Sequence, residues 1–340
     1  MQFLSDNTST ACPEILAALA SVNRGRVHSY GDDEWTARLD RCFSDFFGTE
    51  VRAFALATGT AANSLSLATL SPPYGAIFAH EEAHIQTDEC GAPAFFSGGA
   101  QLALLPGEHA RISPHTFAQA LADHPSVNVG LHSVQPAALS LTQMTEFGTV
   151  YRPAELKELC DLAHARALKV QMDGARFANA VAFLDCHPGD ISWRAGVDVL
   201  SFGATKNGAL AAEAVVFFDT SLVRDFELRR KRAGHLFSKS RYVAAQLLAY
   251  VESGLWRRNA QRTNALAQRV AAAARGRLLH PVEGNEVFVK LGVERRQQLR
   301  AAGFDFYDWG PPHNGEARLV VSWDQPVEEV DALCAALQTL

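Results

Sequence analysis

Residues 169–176 read Lys-Val-Gln-Met-Asp-Gly-Ala-Arg, and residues 197–208 read Val-Asp-Val-Leu-Ser-Phe-Gly-Ala-Thr-Lys-Asn-Gly. Each is a short apolar run ending in a turn of small residues that carries a charged side chain. Lys169 to Met172 and Val197 to Phe202 therefore read as buried strands, with Asp173, Arg176 and Lys206 just beyond their carboxyl ends. In open α/β sheets that is where ligands bind. Another apolar run, Ala214 to Phe218, follows across the loop Gly203 to Glu213.

Toward the N-terminus the alternation of strands and helices continues. Val51 to Ala57 reads as a strand and Thr60 to Leu70 as the helix after it; Ala76 to Ala79 and Leu102 to Leu105 are further strands. Ser113 before Pro114 is an N-cap followed by proline at the first helical position, opening a helix to about Ala122. Asn128 to Ser133 and Ala138 to Leu141 read as weaker extended runs, and Pro153 opens a helix carrying Leu156, Leu159, Ala163 and Ala167. Helices between strands imply right-handed crossovers and a mostly parallel, buried sheet. Past about residue 220 a cationic segment (Arg229, Arg230, Lys231, Arg232, Lys239, Arg241) precedes strands Val287 to Leu291 and Ala317 to Trp323. An amphipathic helix with Val327, Val330, Leu333, Cys334 and Leu337 on one face ends the chain. The expected organisation is an N-terminal arm (1–20), a large α/β domain (21–235) and a small C-terminal α/β domain (236–340).

Composition bounds the function. The chain has 340 residues, 48% hydrophobic and 20% charged, which excludes disorder, collagen-like repeats and coiled coil. A net charge of −6 argues against nucleic acid or an anionic membrane as the main partner. No apolar run approaches the ~20 residues of a membrane span, and Met1 to Thr10 lacks the features of a secretory signal. Six cysteines without a CxxC pair suit reduced thiols, so the expected location is cytoplasmic.

Four constellations could carry chemistry. His80-Glu81-Glu82-Ala83-His84 matches the zinc-peptidase pattern H-E-x-x-H, but that chemistry needs a helix and this motif directly follows a strand. Thr58-Gly59-Thr60, between a strand and a helix, is either an anion-binding turn or an ordinary threonine-capped junction. Asp173 could keep a heterocyclic nitrogen protonated and Arg176 could grip a carboxylate; alternatively Asp173 caps the helix Gly174 to Leu184. Only six of the 31 cationic residues are lysines. Of these, Lys206 alone sits among small residues after a buried strand, where lost solvation favours the neutral amine that forms Schiff bases. An anion cradle, a strand-end carboxylate and a confined lysine, in that order, form the toolkit of a pyridoxal phosphate site.

The order of Thr58-Gly59-Thr60, Glu82-Ala83-His84, Met172-Asp173-Gly174-Ala175-Arg176 and Thr205-Lys206-Asn207-Gly208 resembles the low-specificity L-threonine aldolases, including phenylserine aldolase relatives. The likeness runs from Leu4-Ser5-Asp6-Asn7 through Tyr30-Gly31-Asp32-Asp33 to Arg318-Leu319-Val320. It implies an aspartate aminotransferase-like (fold type I) α/β architecture, with a mostly parallel seven-stranded sheet in the large domain and a small C-terminal α/β domain. It also implies pyridoxal 5'-phosphate as cofactor, a homotetramer (dimer of dimers) with active sites at the dimer interface, and an amino-acid substrate. The implied reaction is reversible cleavage of L-threonine, L-allo-threonine and related β-hydroxy-α-amino acids, phenylserine among them, to glycine and an aldehyde. A transaminase or a β-eliminating lyase would share such a site.

The resemblance implies roles for individual residues. Lys206 is the Schiff-base lysine, Asp173 pairs with the pyridine nitrogen, and Thr58, Gly59 and Thr60 hold the phosphate. His84 stacks on the ring, Ser5, Arg176 and Arg318 bind the substrate carboxylate beside it, and Tyr30 reaches a neighbouring subunit's site. One of Lys231, Lys239 and Arg241 approaches a neighbour's phosphate. Many members carry an Asn-Thr-His-Asn string where this chain has Gln143-Met144-Thr145-Glu146, so a second histidine is missing and His84, or a water it orders, is the candidate base.

Overall fold

The computed structural model describes residues 1–339. Seven strands form the main sheet: β1 (Arg52–Leu56), β2 (Gly75–His80), β3 (Gln101–Leu105), β4 (Gln135–Thr142), β5 (Lys169–Gly174), β6 (Val199–Gly203) and β7 (Glu213–Phe217). Their order is β1-β7-β6-β5-β4-β2-β3, and β7 alone runs against the rest. Successive side chains point to opposite faces, so each strand feeds two cores. Ala53, Ala55, Val170, Met172, Leu200 and Val216 enter one, while Phe54, Leu56, Val199, Val215 and Phe217 enter the other. With helices over both faces, these strands read as continuous apolar runs rather than alternating ones.

A second, antiparallel sheet has the order β8-β10-β9, from β8 (Glu286–Lys290), β9 (Tyr307–Trp309) and β10 (Glu316–Val320). Its core joins Val287, Val289, Leu319 and the helix Val327–Thr339.

Several expectations need correction. Asn128 to Ser133 is not extended: Pro125–Val129 is a short helix, capped by His124 Nδ1 accepting from the Ser126 N–H, and Gly130–His132 is a 3-10 turn. The helix after Asp173 begins at Phe177 rather than Gly174, because β5 extends to Gly174 and Asp173 Oδ1 accepts the Ala175 N–H at 2.9 Å. Tyr250, Leu255, Trp256 and Ala260 pack into the large core, Leu266 and Val270 into the small one, and the helix Leu255–Ala273 runs through both. Within the N-terminal arm, Phe3 is buried in the small core and Ile15 in the large one. Strand β9, polar and only three residues long, was invisible to periodicity.

Candidate active site

The carboxyl ends of β1, β5 and β6 converge on one cavity of about 290 Å³, lined among others by Thr58, Gly59, Thr60, His84, Asp173, Arg176 and Lys206. Seven residues from four separate stretches of sequence are thus brought together. Ser5 and Arg318 line an adjoining cavity that also touches His84, Arg176 and Lys206. Tyr30 lies elsewhere, half-exposed, with the Lys231 ammonium 4.4 Å from its ring centroid.

Backbone geometry sets up the anion turn. Thr58 caps the helix Gly59–Leu70, its hydroxyl oxygen accepting from the Ala61 N–H at 3.3 Å. The N–H groups of Gly59 and Thr60 lie in the first turn, where a helix offers no acceptor and its dipole favours an anion. A Cβ added to Gly59 would meet no protein atom within 4 Å, so open space lies beside the turn. The other two turns interlock. A Cβ at Gly203 would come within 2.5 Å of the Ala175 carbonyl oxygen, so only glycine lets the segment before Lys206 approach the one after Asp173. The 3-10 turn Thr205–Asn207 is clamped from the far side, where Asn207 Nδ2 donates to the Tyr250 hydroxyl (2.6 Å) and the Trp256 carbonyl (2.8 Å). Two of the other lysines are engaged in ion pairs: Lys157 pairs with Asp161, and Lys169 with Asp198 and Asp219.

Beneath the cavity runs a buried polar network that sequence reasoning missed. Asn63 Nδ2 donates to Asp173 Oδ2 at 2.7 Å and to Glu89 Oε1 at 2.9 Å, and His84 Nδ1 lies 3.0 Å from Glu89 Oε1. The hydrogen bond to Glu89 raises the His84 pKa, and burial raises that of Glu89. Both directions favour a proton held between the two. Glu146 contributes a second carboxyl: its Oε1 accepts from the His84 backbone N–H (2.9 Å) and the Thr142 hydroxyl (2.8 Å), and burial pushes it up to about 7. Glu89 and Glu146 thus grip His84 at ring and backbone. His84 and Glu89 are five residues apart, but Asn63 comes from the helix Gly59–Leu70 and Glu146 from the loop after β4; no local signal marks them.

The two arginines differ. Arg176 Nε and Nη2 form a fork on Asp6 (2.7 and 2.9 Å), and Nη2 also lies 3.2 Å from Glu286 Oε1. Burial would lower Arg176, but Asp6 and Glu286 hold it above its usual value. It ties the N-terminal segment, β5 and β8 together. Arg318 is held more loosely, its Nη1 3.9 Å from Glu286 Oε1, its guanidinium 5.3 and 5.6 Å from the Tyr307 and Trp309 rings and its Nη2 3.4 Å from the Leu4 carbonyl.

The zinc-peptidase reading is overturned. His80 ends β2 and His84 begins the four-residue helix His84–Thr87, so the two imidazoles share no helical face. His80 Nε2 instead lies 3.1 Å from the Gly107 carbonyl oxygen.

The residues present fit a phosphorylated pyridine aldehyde: an anion turn, a carboxylate at the cavity floor and an amine at its wall. Sheet order and site together define a fold type I pyridoxal phosphate enzyme. The family model described as Beta-eliminating lyase matches residues 2–294. Low specificity L-threonine aldolase of Pseudomonas aeruginosa is 44% identical over 98% of this chain and 95% of its own. The enzyme of the same description from a Pseudomonas species is 40% identical over 100% of this chain and 97% of its own. Among solved structures, the Leishmania major threonine aldolase superposes with a TM-score of 0.92 at 24% identity, over 99% of this chain and 98% of that one. The chain belongs to the beta-eliminating lyase family, among its low specificity L-threonine aldolases.

Proposed function

We propose that the protein cleaves L-threonine and related β-hydroxy-α-amino acids to glycine and an aldehyde, with the roles below for its residues. The observation that carries the reading is the convergence of Gly59-Thr60, Asp173 and Lys206 on one cavity with His84 at its edge. Pyridoxal phosphate supplies the electron sink that makes scission of the Cα–Cβ bond possible.

In this reading Lys206 would hold the cofactor covalently through its ε-amine. Asp173, fixed by Asn63 and the Ala175 N–H, keeps the pyridine nitrogen protonated. Gly59 and Thr60 hold the phosphate. Arg318 and Ser5 orient the substrate carboxylate, while Arg176, already forked on Asp6, maintains the floor against which it sits. With Nδ1 donating to Glu89, the neutral imidazole of His84 presents the Nε2 lone pair to the cavity. Nε2 takes the β-hydroxyl proton as the bond breaks. No second histidine is needed, and Met144 and Glu146 line the cavity in place of a longer polar string.

Tyr30 and the cationic segment from Arg229 to Arg241 extend the proposal to the assembly. Tyr30 is held at φ 59° by its N–H bond to the Ser238 carbonyl, away from its own cavity and on the surface. We assign that face to a second copy, within a dimer of dimers, where Tyr30 and one of Lys231, Lys239 and Arg241 serve the neighbour's site. None of the helices among the described residues is long and apolar enough to cross a membrane, and six free cysteines suit the cytoplasm.

A visible spectrum of the purified protein, before and after glycine is added, tests cofactor and substrate class together. Glycine plus aldehyde as products supports the aldolase; a keto acid or ammonia refutes it.

A further inference from the structure

Glu213 opens β7, and its register places it opposite both Leu56 of β1 and Gly203 of β6. Those two strands lead into Thr58-Gly59-Thr60 and into Thr205-Lys206. The carboxyl group therefore stands between the anion turn and the lysine turn, on the wall of the cavity that both line. It is only 7% exposed. Its Oε1 accepts the Thr205 N–H over a long 3.4 Å, and among the described residues it forms no salt bridge. Lys206 and Asp173 are the charged groups that face it, with Tyr250 behind, its hydroxyl held by Asn207. Burial pushes Glu213 up to about 7, against the opposing pull of Thr205 and Lys206.

A carboxylate in the wall of a phosphate site would repel its ligand in a confined, low-dielectric space. A protonated carboxyl there is a donor. We propose that Glu213 is a proton-carrying ligand of the cofactor phosphate: its neutral carboxyl donates a hydrogen bond to a phosphate oxygen, and phosphate binding takes up one solvent proton at Glu213. The inference rests on Thr58-Gly59-Thr60 being the phosphate turn. Only an O–H bond forms, between that proton and the ionised carboxylate; nothing is oxidised or transferred further.

The sign follows from linkage. The empty site loses the Glu213 proton as pH rises past about 7, whereas the occupied site retains it. Phosphate affinity therefore falls with rising pH, approaching about tenfold per pH unit on the alkaline side. Toward acid the profile flattens until the phosphate monoester itself takes up a proton near about pH 6.

The test uses the full chain freed of cofactor and 4-deoxypyridoxine phosphate, which carries the phosphate but no aldehyde, so Lys206 cannot bond to it. Calorimetric titration in buffers of different ionisation enthalpy, across about pH 6.5 to about 9, reads both Kd and proton uptake. The wild-type protein should lose about tenfold in affinity per pH unit at the alkaline end and take up one proton. Glu213→Gln should show a shallower slope and no uptake at that position. A wild-type profile no steeper than that of the variant overturns the assignment, as it would if a cation from a second copy neutralised Glu213. Should the variant fail to fold, 4-deoxypyridoxine without phosphate replaces it: equal proton uptake by both probes in the wild-type protein overturns the proposal. Binding that is independent of pH sinks only the Glu213 role, whereas no binding at any pH sinks the phosphate-site reading with it.

Discussion

Replacing Glu89 with glutamine isolates the tuning of His84. The carboxylate lies 3.0 Å from Nδ1 and is fully enclosed, while the imidazole is 39% exposed. A hydrogen bond to a charged group contributes about 1.5–3 kcal/mol. Solvent screens the exposed partner, so the lower end of that range, about 1.5 kcal/mol, applies. The direction follows from the chemistry. Glu89 raises the His84 pKa above 6.5, so the imidazolium persists to higher pH and the basic Nε2 becomes available only above that raised value. Glu89→Gln should therefore move the acidic limb of kcat/KM toward lower pH. Threonine cleavage, followed through aldehyde reduction by a coupled dehydrogenase, measures it. The same pair has a stability signature. Its contribution is fully present below the unfolded histidine pKa and is lost as pH rises through the raised folded one, so the Tm of the variant should vary less with pH there. An acidic limb that stays in place, in a folded variant with normal alkaline turnover, refutes the role of His84 as the base tuned by Glu89.

Further outcomes can be measured alongside it. Lys206→Ala should lose both turnover and the borohydride-trappable link to cofactor; a variant that keeps either contradicts the assignment. Asp173→Asn should retain cofactor but slow turnover by on the order of a hundredfold or more, and normal turnover would exclude the pyridine-nitrogen role. The two arginines should separate cleanly. Arg176→Leu leaves Asp6 buried without its ion-pair partner, and Glu286 with only the more distant Arg318, and should cost about 3–5 kcal/mol in denaturant unfolding. Arg318→Ala should leave the midpoint of unfolding nearly unchanged and raise the KM for threonine; the reverse pattern would exchange their roles.

Periodicity and turn chemistry located the sheet well because its strands are buried on both faces and bounded by glycine or polar turns. Where buried apolar surface was scarce, legibility failed. The segment 128–133 is mostly exposed, so its helix depends on a His124 cap and Pro125 rather than on a core face. The passage between the two cores is unmarked in the sequence for a related reason. A helix amphipathic over its whole length gives no mark where it passes from one core to the other, as Leu255–Ala273 does.

The candidate residues that the fold gathers around one cavity could be chosen from the sequence: Lys206 by its confined turn, Asp173 and Arg176 by their strand end, Gly59 and Thr60 by their place before a helix. Those choices rest on local rules, since a strand end, a cap or a glycine turn is written within a few neighbouring residues. What only the tertiary structure decided is how these residues are held and charged. Asn63 joining Asp173 to Glu89, Glu146 gripping the His84 backbone, and Arg176 locked on Asp6 while Arg318 is held only loosely all depend on contacts between segments far apart in the chain. Burial also decides protonation, for Glu89 and Glu146 are ordinary acidic residues until the fold removes water around them.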